Sequence, residues 1–213
     1  MPTTAQRSHN RPQRGAPAWE LVKHFPAQGE WDELDYLSLD PLLEDARSIE
    51  LVDGRLEFLP MPTKTHELIV AFIYEALRAF MRGKNLGEVF FSGRRVKLGI
   101  QKIRVPDIVF LLKEHRNRSE EDFSLGADLA IEVVSRGRED HERDYVRKRR
   151  DYAKAGIAEY WIVDPQQEQI TVLNLQGGKY SVHGKFKKGQ RAASFLLLGF
   201  EVDVTEALAG LKQ

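Results

Sequence analysis

Residues 104–112 read RVPDIVFLL and residues 129–135 read LAIEVVS, two apolar runs that each carry one carboxylate, Asp107 and Glu132. An ionised carboxylate inside an apolar strand is costly unless it is paired or binds a metal. Two of them in one short region suggest that both serve the same cation. Strand side chains alternate, so Asp107 shares a face with Val109 and Leu111. Glu132 shares one with Ala130 and Val134, opposite Leu129, Ile131 and Val133. A run that is apolar on both faces is expected of a central strand covered on both sides. With the helical segments around it, this predicts an α/β fold.

Downstream, a helix is expected over about Asp140 to Ala155, ended by Gly156 as a left-handed cap. Asp144, Lys148 and Tyr152 recur there at four-residue steps and share one stripe. If this helix packs on the sheet, Lys148 reaches over the carboxylate edge. Asp, Glu and Lys together suit phosphodiester hydrolysis. Hard oxygen ligands hold Mg²⁺ or Mn²⁺, the metal polarises the phosphate, and an ammonium steadies hydroxide or developing charge. The competing reading is a structural salt bridge, with Glu132 paired to Arg143 or Lys148. The run RDYVRKRRDY also reads as a solvated face, and Tyr152 as a residue packed on the sheet.

Several segments in order carry a resemblance. These are WDELDYLSL (31–39), IELVDGRLEFLP (49–60), His66, RVPDIVF (104–110), IEVVS (131–135), the Asp144/Lys148/Tyr152 stripe and GIAEYWIVDP (156–165). Together they resemble the Uma-two family of putative restriction endonucleases, long catalogued as a domain of unknown function, within the PD-(D/E)XK nuclease superfamily. The likeness spans roughly Trp31 to Leu208. It implies a restriction-endonuclease-like sandwich, with a mixed central sheet flanked by helices and added N-terminal and C-terminal hairpins. It implies DNA as substrate, Mg²⁺ or Mn²⁺ as cofactor, and Asp107, Glu132 and Lys148 as the catalytic set. The metal shell it implies is Asp107, Glu132, Glu50 and the carbonyl of Val133, with His66 and Tyr152 as further site residues. The superfamily's lysine stands two residues after the acid, where this chain has Val134, so the lysine maps onto Lys148 of the next helix. The family's Ser-Pro-Ser after the strand is Ser135-Arg136-Gly137 here.

Working outward, residues 1–30 are rich in Pro, Arg, Gln, Ser and Gly and read as a disordered basic tail, leaving 31–213 as one domain. A short amphipathic helix is expected over Trp31–Leu39. A hairpin is expected where Ile49–Val52 and Arg55–Leu59 flank Asp53-Gly54. Thr63 caps a helix running to about Arg82, since Leu68, Ile69, Phe72, Ile73, Ala76, Leu77 and Phe80 recur at helical spacing. Strands follow at Glu88–Phe91 and Arg94–Leu98, and Lys113–Ser124 reads as a charged loop or helical turn. Glu159–Val163 reads as a strand, Gln169–Leu175 and Lys179–Phe186 as a hairpin, and the apolar stretch Ala193–Val204 as a further strand. Trp161 is expected in the core or at a dimer interface.

The chain has 213 residues, with Lys+Arg and Asp+Glu both at 32 and no cysteine. Zero net charge removes any global field steering a polyanion, so nucleic-acid contact must rest on local patches. Arg94, Arg95, Arg136 and Arg143 are the candidates for phosphate contact. His66 is either a helix-start histidine bonded to backbone or a phosphate contact or general base. The remaining histidines lack metal-ligand spacing. No thiol chemistry, membrane span or signal peptide is expected, which predicts a cytoplasmic protein without organic cofactor. A homodimer suits a nuclease that cuts two strands. A catalytically silent nucleic-acid-binding or assembly homodimer on the same fold is the alternative. A nucleotide phosphohydrolase ranks last, for want of a Gly-rich phosphate loop.

Overall fold

The computed structural model describes residues 25–39, 49–91 and 93–210. The tail expected over residues 1–30 lies outside them up to residue 24. Its last residues pack on the hairpin: Gly29 donates its N–H to the Gly54 carbonyl, and Gln28 accepts from the Leu56 N–H.

The chain runs α1 (Glu33–Leu37), β1 (Ile49–Val52), β2 (Arg55–Phe58), α2 (Lys64–Met81), β3 (Gly87–Phe91), β4 (Arg95–Gly99), β5 (Lys102–Arg104) and β6 (Ile108–Leu112). A 3₁₀ segment, Lys113–Arg118, leads to β7 (Phe123–Leu125) and β8 (Leu129–Val133). Next come α3 (Arg138–Glu142), a π-helical stretch (Arg143–Lys148) and α4 (Arg149–Lys154) as one continuous helical run. The chain closes with β9 (Glu159–Asp164), β10 (Gln169–Gln176), β11 (Lys179–Lys187), β12 (Arg191–Ala193), β13 (Glu201–Asp203) and α5 (Val204–Ala209).

The sandwich expected from sequence is present, built on two large sheets. One has strand order β11-β10-β9-β8-β6-β3, the other β2-β1-β5-β4-β7, and β12 pairs β13 beside them. The predicted hairpins are integral strands of these sheets rather than appendages. Asp53 and Gly54 both have positive φ, as a tight two-residue hairpin turn requires. A Cβ on Gly54 would also meet the Gly29 carbonyl oxygen at 2.5 Å. The strands β5, β7 and β12 and the helix α5 were not read from sequence. The strands span three residues each, too few to show alternation. The apolar stretch after Ala193 contributes β13 and then turns into α5.

The six-stranded sheet places the chemistry. β8 pairs antiparallel with β6 and parallel with β9. A parallel neighbour demands a crossover, and the helical run from Arg138 to Lys154 is that crossover. On one face, Ile69, Ile73 and Leu77 of α2 pack on Ile108, Phe110, Leu129, Ile131, Val133 and Trp161. On the other, Tyr152 packs with Val109, Ala130, Val134, Tyr160 and Ile162. The alternation read for β8 therefore holds, and Glu132 points toward the crossover. Trp161 is fully buried in the core, its Nε1–H donated to Glu159 at 2.6 Å. A third cluster joins Trp31, Tyr36, Leu39, Ile49, Leu51 and Ile103 around the five-stranded sheet. No helix among the described residues is long and apolar enough to cross a membrane.

Candidate active site

Asp107 directly precedes β6, after Pro106, and Glu132 lies one residue before the end of β8. Register carries the two acids to one end of the sheet: Ile108 stands opposite Ile131, and Asp107 Oδ2 accepts the Val133 N–H at 2.7 Å. A strand residue's carbonyl leaves on the same edge as its N–H. The Val133 carbonyl therefore belongs to the Asp107 edge, although the contact seen is through the amide.

The crossover brings the cation. Lys148 Nζ lies 2.8 Å from Glu132 Oε1, 3.3 Å from Glu50 Oε1 and 3.9 Å from Asp144 Oδ1. The Tyr152 hydroxyl donates to the same Glu132 oxygen at 2.5 Å, while its ring packs edge-on against Tyr160. The ring thus packs on the sheet, while the hydroxyl is bound to Glu132. The predicted α-helix is interrupted by a π turn at the site, an irregularity often found where a helix serves function. Arg143, Asp144 and Lys148 are all buried within it.

His66 sits in the first turn of α2, its backbone N–H bonded to the Thr63 cap. Its Nε2 lies 3.3 Å from Asp107 Oδ2. The histidine is therefore a capped helix start that also lines the cavity beside Asp107. Glu50 has both oxygens engaged. Oε2 accepts from Arg104 at 2.6 Å, and Oε1 accepts from the Val105 N–H at 2.8 Å.

Burial sets the electrostatics. It pushes the Glu132 carboxyl up to about 8, with Asp107, Asp144 and Glu50 adding to the push and Lys148 opposing it. Burial would discharge Lys148, but Glu132, Glu50 and Asp144 outweigh it and raise its pKa. Burial would raise Glu50 too, but Lys148 and Arg104 hold it below the usual carboxylate range. His66 is desolvated, yet Asp107 beside it shifts the imidazole toward its protonated form. Burial keeps the Tyr152 phenol protonated, so it remains a donor.

His66, Asp107, Glu132, Ser135, Arg143 and Lys148 line one cavity of about 440 Å³, with Leu59, Pro60 and Pro62 at its rim. Glu50 and Tyr152 stand behind this lining. Asp107 Oδ1 and Glu132 Oε2 make no hydrogen bond among the described residues, so each acid keeps one oxygen for a ligand. No group of three or more His, Asp or Glu placed to hold an ion occurs among the described residues. That donor set still fits Mg²⁺, which takes one or two carboxylates and fills its shell with water and substrate phosphate. A carboxyl raised to about 8 beside further acids is also a position where added positive charge is favoured.

The arginines expected at phosphate divide. Arg94 is spent on its own fold, donating to the carbonyls of Glu121 at 2.8 Å and Phe123 at 2.7 Å and to Ser124 Oγ at 3.0 Å. Arg95 is buried over the Tyr36 ring. Arg143 lines the cavity but pairs with Asp140 at 2.6 Å and Asp144 at 3.0 Å. Arg136 is exposed on the loop after β8. Sequence reasoning missed Arg104 and Asp151, both buried at the back of the site. The available signal was an arginine in the run KIRV immediately before Pro106.

Comparison with known proteins gives the family and the fold. The model of the Uma2 family, described as "Putative restriction endonuclease", matches residues 31–205. The chain is similar to the crystal structure of a putative nuclease belonging to DUF820 from Anabaena variabilis, with a TM-score of 0.65 and 17% identity. The likeness covers 82% of this chain and 97% of that one, and it shows a shared fold. No curated protein matches the chain.

Proposed function

This chain belongs to the Uma2 family, and from that premise we propose that it is a metal-dependent endonuclease hydrolysing DNA phosphodiester bonds. The observation that carries the reading is one cavity lined by two carboxylates, each with an uncommitted oxygen, and by the buried ammonium of Lys148.

Asp107 and Glu132 would hold Mg²⁺ or Mn²⁺ through those two oxygens, with the Val133 carbonyl on the adjoining edge as a further donor. The bound ion would supply Lewis-acid polarisation of the phosphate and a water of lowered pKa. The protein's own groups do the rest. Tyr152 and Lys148 both bind Glu132 Oε1 and so fix which oxygen faces the cavity. Lys148 presents positive charge where a pentacovalent phosphate gains negative charge. His66 and the Val133 amide hold Asp107 Oδ2 and leave Oδ1 toward the substrate. Arg136, exposed beside the acids, is the available arginine for a flanking phosphate. One centre for each strand suits a duplex substrate, so the working form in this reading is a homodimer, and the reading places it in the cytoplasm.

The test is a cleavage assay on supercoiled plasmid, single-stranded DNA and RNA with Mg²⁺ or Mn²⁺. Wild type is compared with Lys148→Met and with EDTA. Metal-dependent nicking of DNA lost in the variant supports the reading. A folded wild type that cuts nothing with either metal sinks it. One observation favours the silent-scaffold alternative: Lys148 is already surrounded by Glu132, Glu50 and Asp144, as in a purely structural network. On that alternative the folded wild type would bind no Mn²⁺, while Glu132→Ala would still be destabilising because it leaves Lys148 buried beside a lost partner.

A further inference from the structure

Resting on the nuclease reading, we infer that Glu50 and Arg104 form a brace that positions Lys148, and that Glu50 is not a ligand of the metal. Arg104 stands at the end of β5 and is completely buried. Its Nη1 donates to Glu50 Oε2 at 2.6 Å and to Glu57 Oε2 at 3.0 Å. Its Nη2 donates to Asp151 Oδ2 at 2.7 Å, and its Nε to the same oxygen at 3.2 Å. One planar guanidinium thus joins β1, β2 and α4, a task suited to a rigid fork and not to a point charge.

The consequence runs to the catalytic lysine. Asp151 lies three residues past Lys148 on the same helical run, so Arg104 anchors the backbone that carries the lysine. Glu50 is held by Arg104 and by the Val105 amide, two residues before Asp107. From that fixed position its Oε1 lies 3.3 Å from Lys148 Nζ. Lys148 is gripped from the five-stranded sheet by Glu50 and from the six-stranded sheet by Glu132. A lysine has a flexible four-carbon stem, and two fixed carboxylates on opposite sides define where its ammonium sits. Glu50 has no oxygen left over for an ion, and it lies behind the cavity lining.

The experiment uses the full chain with Glu50→Gln and Asp151→Asn, and Glu132→Gln for comparison, each checked for folding by circular dichroism. Three quantities are read: Mn²⁺ affinity by titration calorimetry, the acetylation rate of Lys148 by mass spectrometry with acetic anhydride, and kcat and KM for plasmid nicking. The brace predicts that Glu50→Gln and Asp151→Asn keep the wild-type Mn²⁺ affinity, whereas Glu132→Gln loses it. Lys148, shielded in wild type, should acetylate at least ~10-fold faster in both brace variants as its local protection falls. Nicking should lose about 100-fold in kcat with little change in KM, as expected when a catalytic group is misplaced and not removed. Loss of Mn²⁺ binding in Glu50→Gln would make Glu50 a ligand and overturn the inference. Lys148 as shielded in the folded variants as in wild type would overturn it too. A wild type that neither binds Mn²⁺ nor nicks DNA defeats the nuclease reading instead, and the acetylation comparison still decides the brace.

Discussion

Lys148 Nζ and Glu132 Oε1 lie 2.8 Å apart, the lysine on the crossover helix and the glutamate on the central strand that this helix covers. The lysine is 1% exposed and the glutamate 3%. Neither group has bulk water to fall back on, so each depends on the other and on the groups around them.

Replacing Lys148 by Met should therefore act on chemistry and stability together. Loss of the ammonium is expected to lower nicking by roughly 10²–10³-fold, the usual range for removing one group that stabilises developing charge. Stability should fall by roughly 3 kcal/mol, the low end for breaking a buried pair, because Glu132, raised to about 8, readily holds a proton near neutral pH and so limits the cost. Urea denaturation of both proteins measures the second effect. A variant as stable as wild type would show the pair to be a surplus contact.

Glu132 should make the metal-free protein pH-sensitive in a direction opposite to most carboxylates. Its folded pKa is raised to about 8, above the ordinary carboxyl value of about 4.5. The folded state therefore holds the proton more tightly than the unfolded chain, and this contribution to stability is complete below about 4.5. It is lost as pH rises through about 8. Compared with Glu132→Gln, wild type should lose a few kcal/mol, to order of magnitude, between pH 5 and 8.5. Urea titrations of both proteins in EDTA check this; stability curves that run parallel across that range would rule it out.

Mn²⁺ should raise the melting temperature of wild type and not that of Asp107→Asn or Glu132→Gln, since ligand bound only to the folded state stabilises it by mass action. The effect should grow from pH 6 to pH 8, because the ion must displace the proton that Glu132 otherwise holds. Differential scanning fluorimetry with and without EDTA suffices. Equal stabilisation of all three proteins would place the ion elsewhere.

Arg94 and Arg136 should separate structural from nucleic-acid-facing arginines. Arg94→Ala removes the donors that hold the carbonyls of Glu120, Glu121 and Phe123, so stability should drop by about 1–3 kcal/mol. DNA affinity should keep its salt dependence. Arg136→Ala should leave stability within about 0.5 kcal/mol and reduce the salt slope of DNA binding by about 1. Binding isotherms at several salt concentrations distinguish the two, and a reduced slope in Arg94→Ala would contradict its structural assignment.

Much of this was legible along the chain because it is local. The Asp53-Gly54 turn, the Thr63 cap, the apolar stripe of α2 and the alternation that turns Glu132 away from Leu129, Ile131 and Val133 all follow from neighbours a few residues apart. Backbone sterics, capping geometry and the two-residue and 3.6-residue periods act over that range, so sequence by itself determined them. Tertiary structure alone decided the partners. Arg104 and Glu50 are 54 positions apart, and Arg104 and Asp151 47, so no period links them. Whether Arg94 serves DNA or its own loop depended on which carbonyls the fold left beside it. Charged side chains on long stems take their role from whatever the packed sheets bring within about 3 Å, a distance set by the whole fold and by no single stretch of it.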